Sequence, residues 1–121
     1  MTEPSATLSA EDRKLVTLAR ATRARTGAAE GAAVRDENGR TYAAASVDLP
    51  SLQLSALEVC VAMAIASGSR GLEGAVVLTE AATPVAGLTA VTDFAGPGVL
   101  VHVADQAGRG TRSGTAGAPP A

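Results

Sequence analysis

Hydrophobic positions along the chain recur with helical spacing first, then in short strand-length runs. Ser9-Ala10-Glu11-Asp12 has the form of a helix start, a hydroxyl N-cap followed by acids in the first turn. Leu15, Leu18 and Ala19 continue as one apolar face with Val16 at its edge, and Gly27 is placed as a C-cap, so the spacing predicts a helix over Ala10 to Thr26. Gly31 to Arg35 is a short apolar run. Asp36-Glu37-Asn38-Gly39 forms a turn that tolerates positive φ, and Arg40 to Ser46 returns as the partner strand of a hairpin. Leu49 to Leu54, with Pro50, is expected to be a connection.

Ser55-Ala56-Leu57-Glu58 has capping-box spacing and opens a second helix that reaches about Ser67 and stops at Gly68. No charge occurs between Val59 and Ala66, so this helix is expected to be buried on all sides, between a sheet and a subunit interface. Gly74 to Leu78 reads as a buried central strand. Thr83-Pro84 marks the start of a third helix through Ala95, weakened by Gly87, Thr89, Val91 and Thr92. Val99 to Val103 is the last expected strand. The order helix, strand, strand, helix, strand, helix, strand implies an α/β fold with a mixed sheet and helices on its faces. Residues 9–104 form the expected domain, with a disordered lead-in over 1–8 and a disordered Gly/Ala/Pro-rich tail over 105–121.

Composition sharpens this picture. The chain has 121 residues and is 46 % hydrophobic, but its only aromatic residues are Tyr42 and Phe94. A small domain packed from Ala, Val and Leu is marginal alone, so a homo-oligomer, a dimer or tetramer, is expected. The formal charge of −2 argues against a nucleic-acid partner. The basic cluster Arg13, Lys14, Arg20, Arg23 and Arg25 reads as a solvated helix face. One cysteine excludes an intrachain disulfide, and neither a membrane span nor a signal peptide is apparent, so a cytoplasmic protein with no membrane partner is expected. One lysine against nine arginines suggests a GC-rich bacterial genome.

Three local strings, in order, resemble the cytidine deaminase family: Gly31-Ala32-Ala33-Val34; Asn38-Gly39-Arg40 with Tyr42 in the next strand; and Ser46-Val47-Asp48 where the family has Asn-Val-Glu. Gly68 and the strand Ala75 to Leu78 extend the likeness, which runs from about Asp12 to Val103. It implies a three-layer α/β/α domain with a mixed sheet. In the family, Cys-Ala-Glu opens the second helix and Pro-Cys-x-x-Cys the third; the three ligands hold a zinc ion that acidifies a bound water, and the glutamate moves protons.

That chemistry does not carry over. Pro-Cys-x-x-Cys corresponds to Pro84-Val85-Ala86-Gly87-Leu88, so Val85 and Leu88 replace both thiolates. The remaining ligand position falls on Ser55, with Leu57 at the glutamate, or on Ala56, with Glu58 as the acid, and both registers stay open. Either way the positions are degenerate, with no metal site and no cofactor expected. Glu58 is at most a weak catalytic candidate beside its capping role. Ser46 and Asp48 are the candidate ligand-binding residues, for the hydroxyls of a nucleoside-like ligand. Ala28 stands where the family places an aromatic. Cys60 reads as a buried, inert thiol and His102 as a hydrogen-bonded structural histidine. No Ser-His-Asp set and no Gly-rich phosphate loop after a strand is apparent, since Gly108 to Gly110 falls in the tail.

These residues favour a cytidine deaminase-like pseudoenzyme acting as a structural or binding module. The alternative is hydrolytic deamination of cytidine or deoxycytidine with ligands borrowed from another chain. A third reading comes from similar short actinobacterial proteins, which are encoded beside a ribosome-assembly GTPase. That likeness implies a partner role in ribosome maturation.

Overall fold

The computed structural model describes residues 8–81 and 85–120. Except for Leu8, the expected lead-in lies outside them. The first helix, α1 (Ala10–Thr26), begins where Ser9 Oγ accepts the Asp12 N–H at 3.0 Å and ends at Gly27, which adopts φ +68 and donates to the Arg23 carbonyl. β1 (Gly31–Asp36) and β2 (Thr41–Ala45) form the expected hairpin, with Val34 opposite Tyr42.

A buried carboxylate closes that hairpin. Asp36 Oδ1 accepts the N–H groups of Asn38 and Arg40, both at 2.9 Å. Its Oδ2 accepts the Tyr42 hydroxyl at 3.2 Å and the Ser69 hydroxyl at 2.6 Å. Burial alone would raise its pKa, but these four donors hold it below the ordinary carboxylate value. The same side chain ties the turn to the segment after the second helix.

The expected connection over 49–54 is instead a second, smaller hairpin. β3 (Val47–Leu49) and β4 (Leu52–Leu54) pair antiparallel around the turn at Pro50-Ser51. Proline fits the turn position, where it ends a strand without costing a ladder hydrogen bond. Its position inside the run hid the two short strands on either side.

Helix α2 (Ala56–Ala66) opens on a complete capping box: the Glu58 N–H donates to Ser55 Oγ at 3.1 Å, and the Ser55 N–H donates to Glu58 Oε1 at 2.8 Å. Beyond it, β5 (Leu72–Leu78) pairs antiparallel with β1 and parallel with β6 (Leu100–Ala104). α3 (Leu88–Ala95) connects them and is shorter than expected. The expected start at Thr83-Pro84 lies outside the described residues, and Gly87, with φ +104, is the N-cap. A positive φ cannot belong to a right-handed helix, so the helical turn begins only after that glycine.

The tail departs most from expectation. Residues Arg112–Thr115 form β7, antiparallel to β6, with Val101 opposite Gly114. β6 would otherwise expose an edge of unpaired backbone donors and acceptors. Backbone pairing satisfies that edge without requiring hydrophobic side chains, which is why a Gly/Thr/Ser segment can order there. Glycine is also needed sterically, because a Cβ on Gly114 would lie 2.7 Å from the Ala118 carbonyl oxygen. The Ala116 N–H donates to the Val99 carbonyl at 2.9 Å, and its side chain is buried.

The main sheet thus runs β2-β1-β5-β6-β7 between two helical layers. On one face, Ala32, Val34, Val77, Val101 and Val103 pack against Leu57, Cys60 and Ala64 of α2 and Val91 of α3. On the other, Ala33, Val76 and Leu78 meet Leu15 and Ala19 of α1. The α2 helix is not covered all round: Cys60, Val61 and Ala64 face the core, whereas Ile65 is 51 % exposed and Ala62 and Ala66 are also exposed. Its uniform apolarity therefore leaves an uncharged outer surface on the single chain.

Candidate functional site

Two features meet at the N-terminus of α2. The first is an open cleft of about 500 Å³ between the β3–β4 hairpin, the end of β5 and the turn after β6. Glu30, Ser46, Asp48, Ser55, Glu80 and Gln106 line it. Ser46 is fixed to the segment entering β1: its N–H donates to the Glu30 carbonyl and its Oγ accepts the Glu30 N–H, both at 3.1 Å. The Glu30 carboxylate reaches the Ala56 N–H at 3.4 Å, in the first turn of α2. Asp48 sits opposite Gln53 across the small hairpin and accepts from Gln53 Nε2 at 3.3 Å. Gln106 closes the far side, donating through Nε2 to the Ala29 carbonyl at 2.8 Å and through its backbone to Glu80 at 3.1 Å.

The sequence-derived pair Ser46 and Asp48 is therefore brought together in one cleft. Glu30, Glu80 and Gln106 complete the lining and were not singled out in the sequence. Glu30 could have been suspected, since it directly precedes a strand whose end faces the α2 start. Gln106 lay in a segment assigned to disorder. With three carboxylates and no Lys or Arg among the described residues of its lining, the cleft can accept hydrogen bonds from hydroxyl or amino groups.

The second feature is the junction between α2 and the start of α3. Leu57 is 0 % exposed there, and Val85 and Leu88 are buried in the same hydrophobic cluster. Gly87 presses directly on the start of α2. A Cβ at Gly87 would stand 3.0 Å from both the Leu57 Cβ and Ser55 Oγ. Leu57, rather than the Glu58 carboxylate, thus faces the third helix, while Glu58 turns back to cap its own helix. Glu58 does not line the cleft. Among the described residues, no three His, Cys, Asp or Glu side chains converge as a metal centre would require.

Cys60 and His102 lie apart from both features. The Cys60 thiol is fully buried, 3.5 Å from the Tyr42 carbonyl, and burial pushes its pKa up to about 12. His102 belongs to a polar network under α1 that sequence reading did not find. Its Nε2–H donates to Asp12 Oδ2 at 2.8 Å, and its Nδ1 lies 2.7 Å from Ser113 Oγ. The other Asp12 oxygen accepts from Arg35 Nη1 at 2.9 Å, and Arg35 Nε donates to Glu73 at 3.2 Å.

A Ser-His-Asp chain is thus present after all, assembled from three distant elements. Asp12 is 4 % exposed and His102 3 %, and Arg35 holds the acid from the far side. These contacts make it a strut joining α1 to β1, β6 and β7. Burial opposes ionisation of Asp12, yet hydrogen bonds from His102 and Arg35 outweigh it and keep the carboxyl below its ordinary pKa.

A mixed five-stranded sheet with one helix on one face and two on the other, and a cleft at the start of the second helix, defines the class as an α/β/α domain of deaminase-like architecture. A family profile described as cytidine deaminase-like matches residues 8–108, and the chain belongs to that family. Among solved structures, it is similar to a cytidine deaminase from Burkholderia pseudomallei, with TM-score 0.75 and 21 % identity over 91 % of this chain and 94 % of that one. It also resembles the enzyme from Mycobacterium leprae (TM-score 0.67, 18 % identity, covering 87 % and 94 %). A third likeness is to that from Mycobacterium tuberculosis (TM-score 0.64, 18 % identity, covering 78 % and 85 %). At these identities the likeness concerns the fold. Comparison with curated proteins returns no match. No helix among the described residues is long and apolar enough to cross a membrane.

Proposed function

We propose that this chain is a cytidine deaminase-like protein without a zinc site, a non-catalytic module that uses its cleft for binding. The observation that carries this reading is the packing of Leu57, Val85 and Leu88 in one apolar cluster, with Gly87 against Ser55 Oγ. The family positions that would hold zinc offer one hydroxyl, already a helix cap, and two aliphatic side chains. That donor set does not suit zinc, which takes sulfur, imidazole or carboxylate ligands. Without a metal or an equivalent base, water near neutral pH is too weak a nucleophile to attack a pyrimidine ring.

Binding is the role left to the cleft. Its carboxylates and the Ser46 hydroxyl suit a neutral, hydroxyl-rich ligand of nucleoside type. The exposed, uncharged outer face of α2 around Ile65 supports self-association of the chain.

Zinc analysis of the purified protein, with cytidine and deoxycytidine turnover assayed with and without added zinc, tests the reading. The expected result is neither stoichiometric zinc nor turnover. One tightly held zinc per chain, or deamination abolished by Glu58→Ala, would overturn it. Sedimentation at increasing concentration tests the oligomer, with Ile65→Arg expected to shift the chain toward monomer.

A further inference from the structure

A second cleft lies on the opposite side of the turn that carries Gln106. On α1, Arg13, Val16, Thr17 and Arg20 fall at helical spacings of three and four, so they share one face. Facing them is the 105–111 turn, in the segment whose composition suggested disorder. Asp105 builds this turn: its carboxylate accepts the N–H groups of Ala107 and Arg109, both at 2.9 Å, and its own N–H donates to the Arg109 carbonyl at 3.0 Å. Gly108 brings the turn onto the helix, since a Cβ there would lie 3.1 Å from Val16 Cγ1. Arg20 Nη1 donates to the Ala107 carbonyl at 3.4 Å.

Between helix and turn is a cleft of about 460 Å³, bordered by Arg13, Thr17, Arg20, Arg109 and Thr111. Three arginines line it, and among the described residues no carboxylate does. Arg13 spends one donor on the Leu8 carbonyl, at 2.6 Å, and Arg20 one on Ala107. A guanidinium carries five N–H donors, so most of theirs remain for a ligand. By contrast, Arg35 is neutralised by Asp12 and Glu73, and Arg23 is turned onto the Ala28 carbonyl. Gathering like charges costs energy unless an anion occupies the space between them.

We propose that this cleft binds the phosphate group of a small ligand, gripped by Arg13, Arg20 and Arg109. Guanidinium groups match phosphate oxygens two at a time, which favours phosphate over a simple halide. The volume is that of a small-molecule site, and the chain's net charge of −2 does not provide the extended basic surface that a nucleic acid requires. This inference rests on the α1 cleft alone and stands whether or not the Ser46–Asp48 cleft binds a nucleoside.

Calorimetric titration of the 121-residue protein tests it, with pyrophosphate, a nucleoside diphosphate and the parent nucleoside as separate probes. Pyrophosphate is expected to bind, and to bind several-fold more weakly when salt rises from about 50 to about 200 mM, as screening requires. Arg109→Ala, which removes an exposed side chain that makes no hydrogen bond among the described residues, is expected to lower affinity about tenfold or more, with Arg109→Lys intermediate. Arg25→Ala removes the same charge from α1 outside the cleft and is expected to leave binding unchanged. A nucleoside diphosphate binding much more tightly than pyrophosphate identifies a nucleotide as the source of the phosphate, whereas equal affinities identify the phosphate alone. Absence of pyrophosphate binding overturns the proposal. So does equal weakening by Arg25→Ala and Arg109→Ala, or tighter binding of a single-stranded oligonucleotide than of pyrophosphate.

Discussion

The junction between α2 and α3 and the seam beneath α1 are closed by opposite kinds of side chain. At the α2/α3 junction, Leu57, Val85 and Leu88 close the space with hydrocarbon, and the polar groups of Ser55 and Glu58 serve as helix caps. On the α1 face, Asp12, His102 and Arg35 bring ionisable groups out of solvent and satisfy them with one another and with Ser113 and Glu73. A sealed junction tolerates loss of packing gradually, whereas a network of paired charges fails when any one partner leaves.

Mutations can break that contrast. Asp12→Ala leaves His102 and Arg35 without their common acceptor and is expected to cost about 4 kcal/mol in urea denaturation, the largest single effect. Replacing the set together (Asp12→Leu, His102→Leu, Arg35→Met) is expected to cost less than Asp12→Ala alone, because no orphaned charge is left buried. A triple variant less stable than the single one contradicts the orphaned-charge account of the Asp12→Ala loss. On the other face, Leu57→Ala is expected to cost about 3 kcal/mol through lost burial and a residual cavity.

Asp36 links the faces to pH. Both Asp36 and Asp12 have folded pKa values below the ordinary 3.8, so each stabilises the fold fully above that value. That contribution is lost as pH falls from the unfolded value through the depressed folded ones. The denaturation midpoint is thus expected to drop steeply below about pH 4. Asp36→Asn is expected to cost about 2 kcal/mol at neutral pH and to flatten the acid slope, leaving the Asp12 share. The smallest effect is Ser55→Ala, about 1 kcal/mol from loss of the cap at the junction. If Ser55→Ala instead produced a loss as large as Leu57→Ala, the serine would be holding more than a helix start.

Legibility in the sequence followed the range of the interactions. The bounds of α1 were readable because Ser9, the first-turn acids and Gly27 act within a few residues. The β1–β2 hairpin and the α2 capping box were readable for the same reason. The β3–β4 hairpin was not, since its three-residue strands are too short to show a period around Pro50. Ser46 and Asp48 were legible through family likeness, but Glu30 and Gln106, 76 positions apart in the numbering, share a cleft only because β1 and β6 flank β5. Ser113, His102 and Asp12 stand on β7, β6 and α1, and no spacing in the chain encodes their meeting.

The sequence by itself determined α1, the β1–β2 hairpin, α2 and the two inner strands β5 and β6, and that Val85 and Leu88 offer no metal-binding atoms. Both follow from the chemistry of side chains and their near neighbours. Only the tertiary structure decided that the Gly-rich tail becomes an edge strand, that three arginines face one cleft, and that a buried aspartate, histidine and serine form a single chain of hydrogen bonds. The physical reason is that a strand edge and a buried charge acquire their energetic demands only when distant parts of the chain are packed together. Until then, water satisfies both.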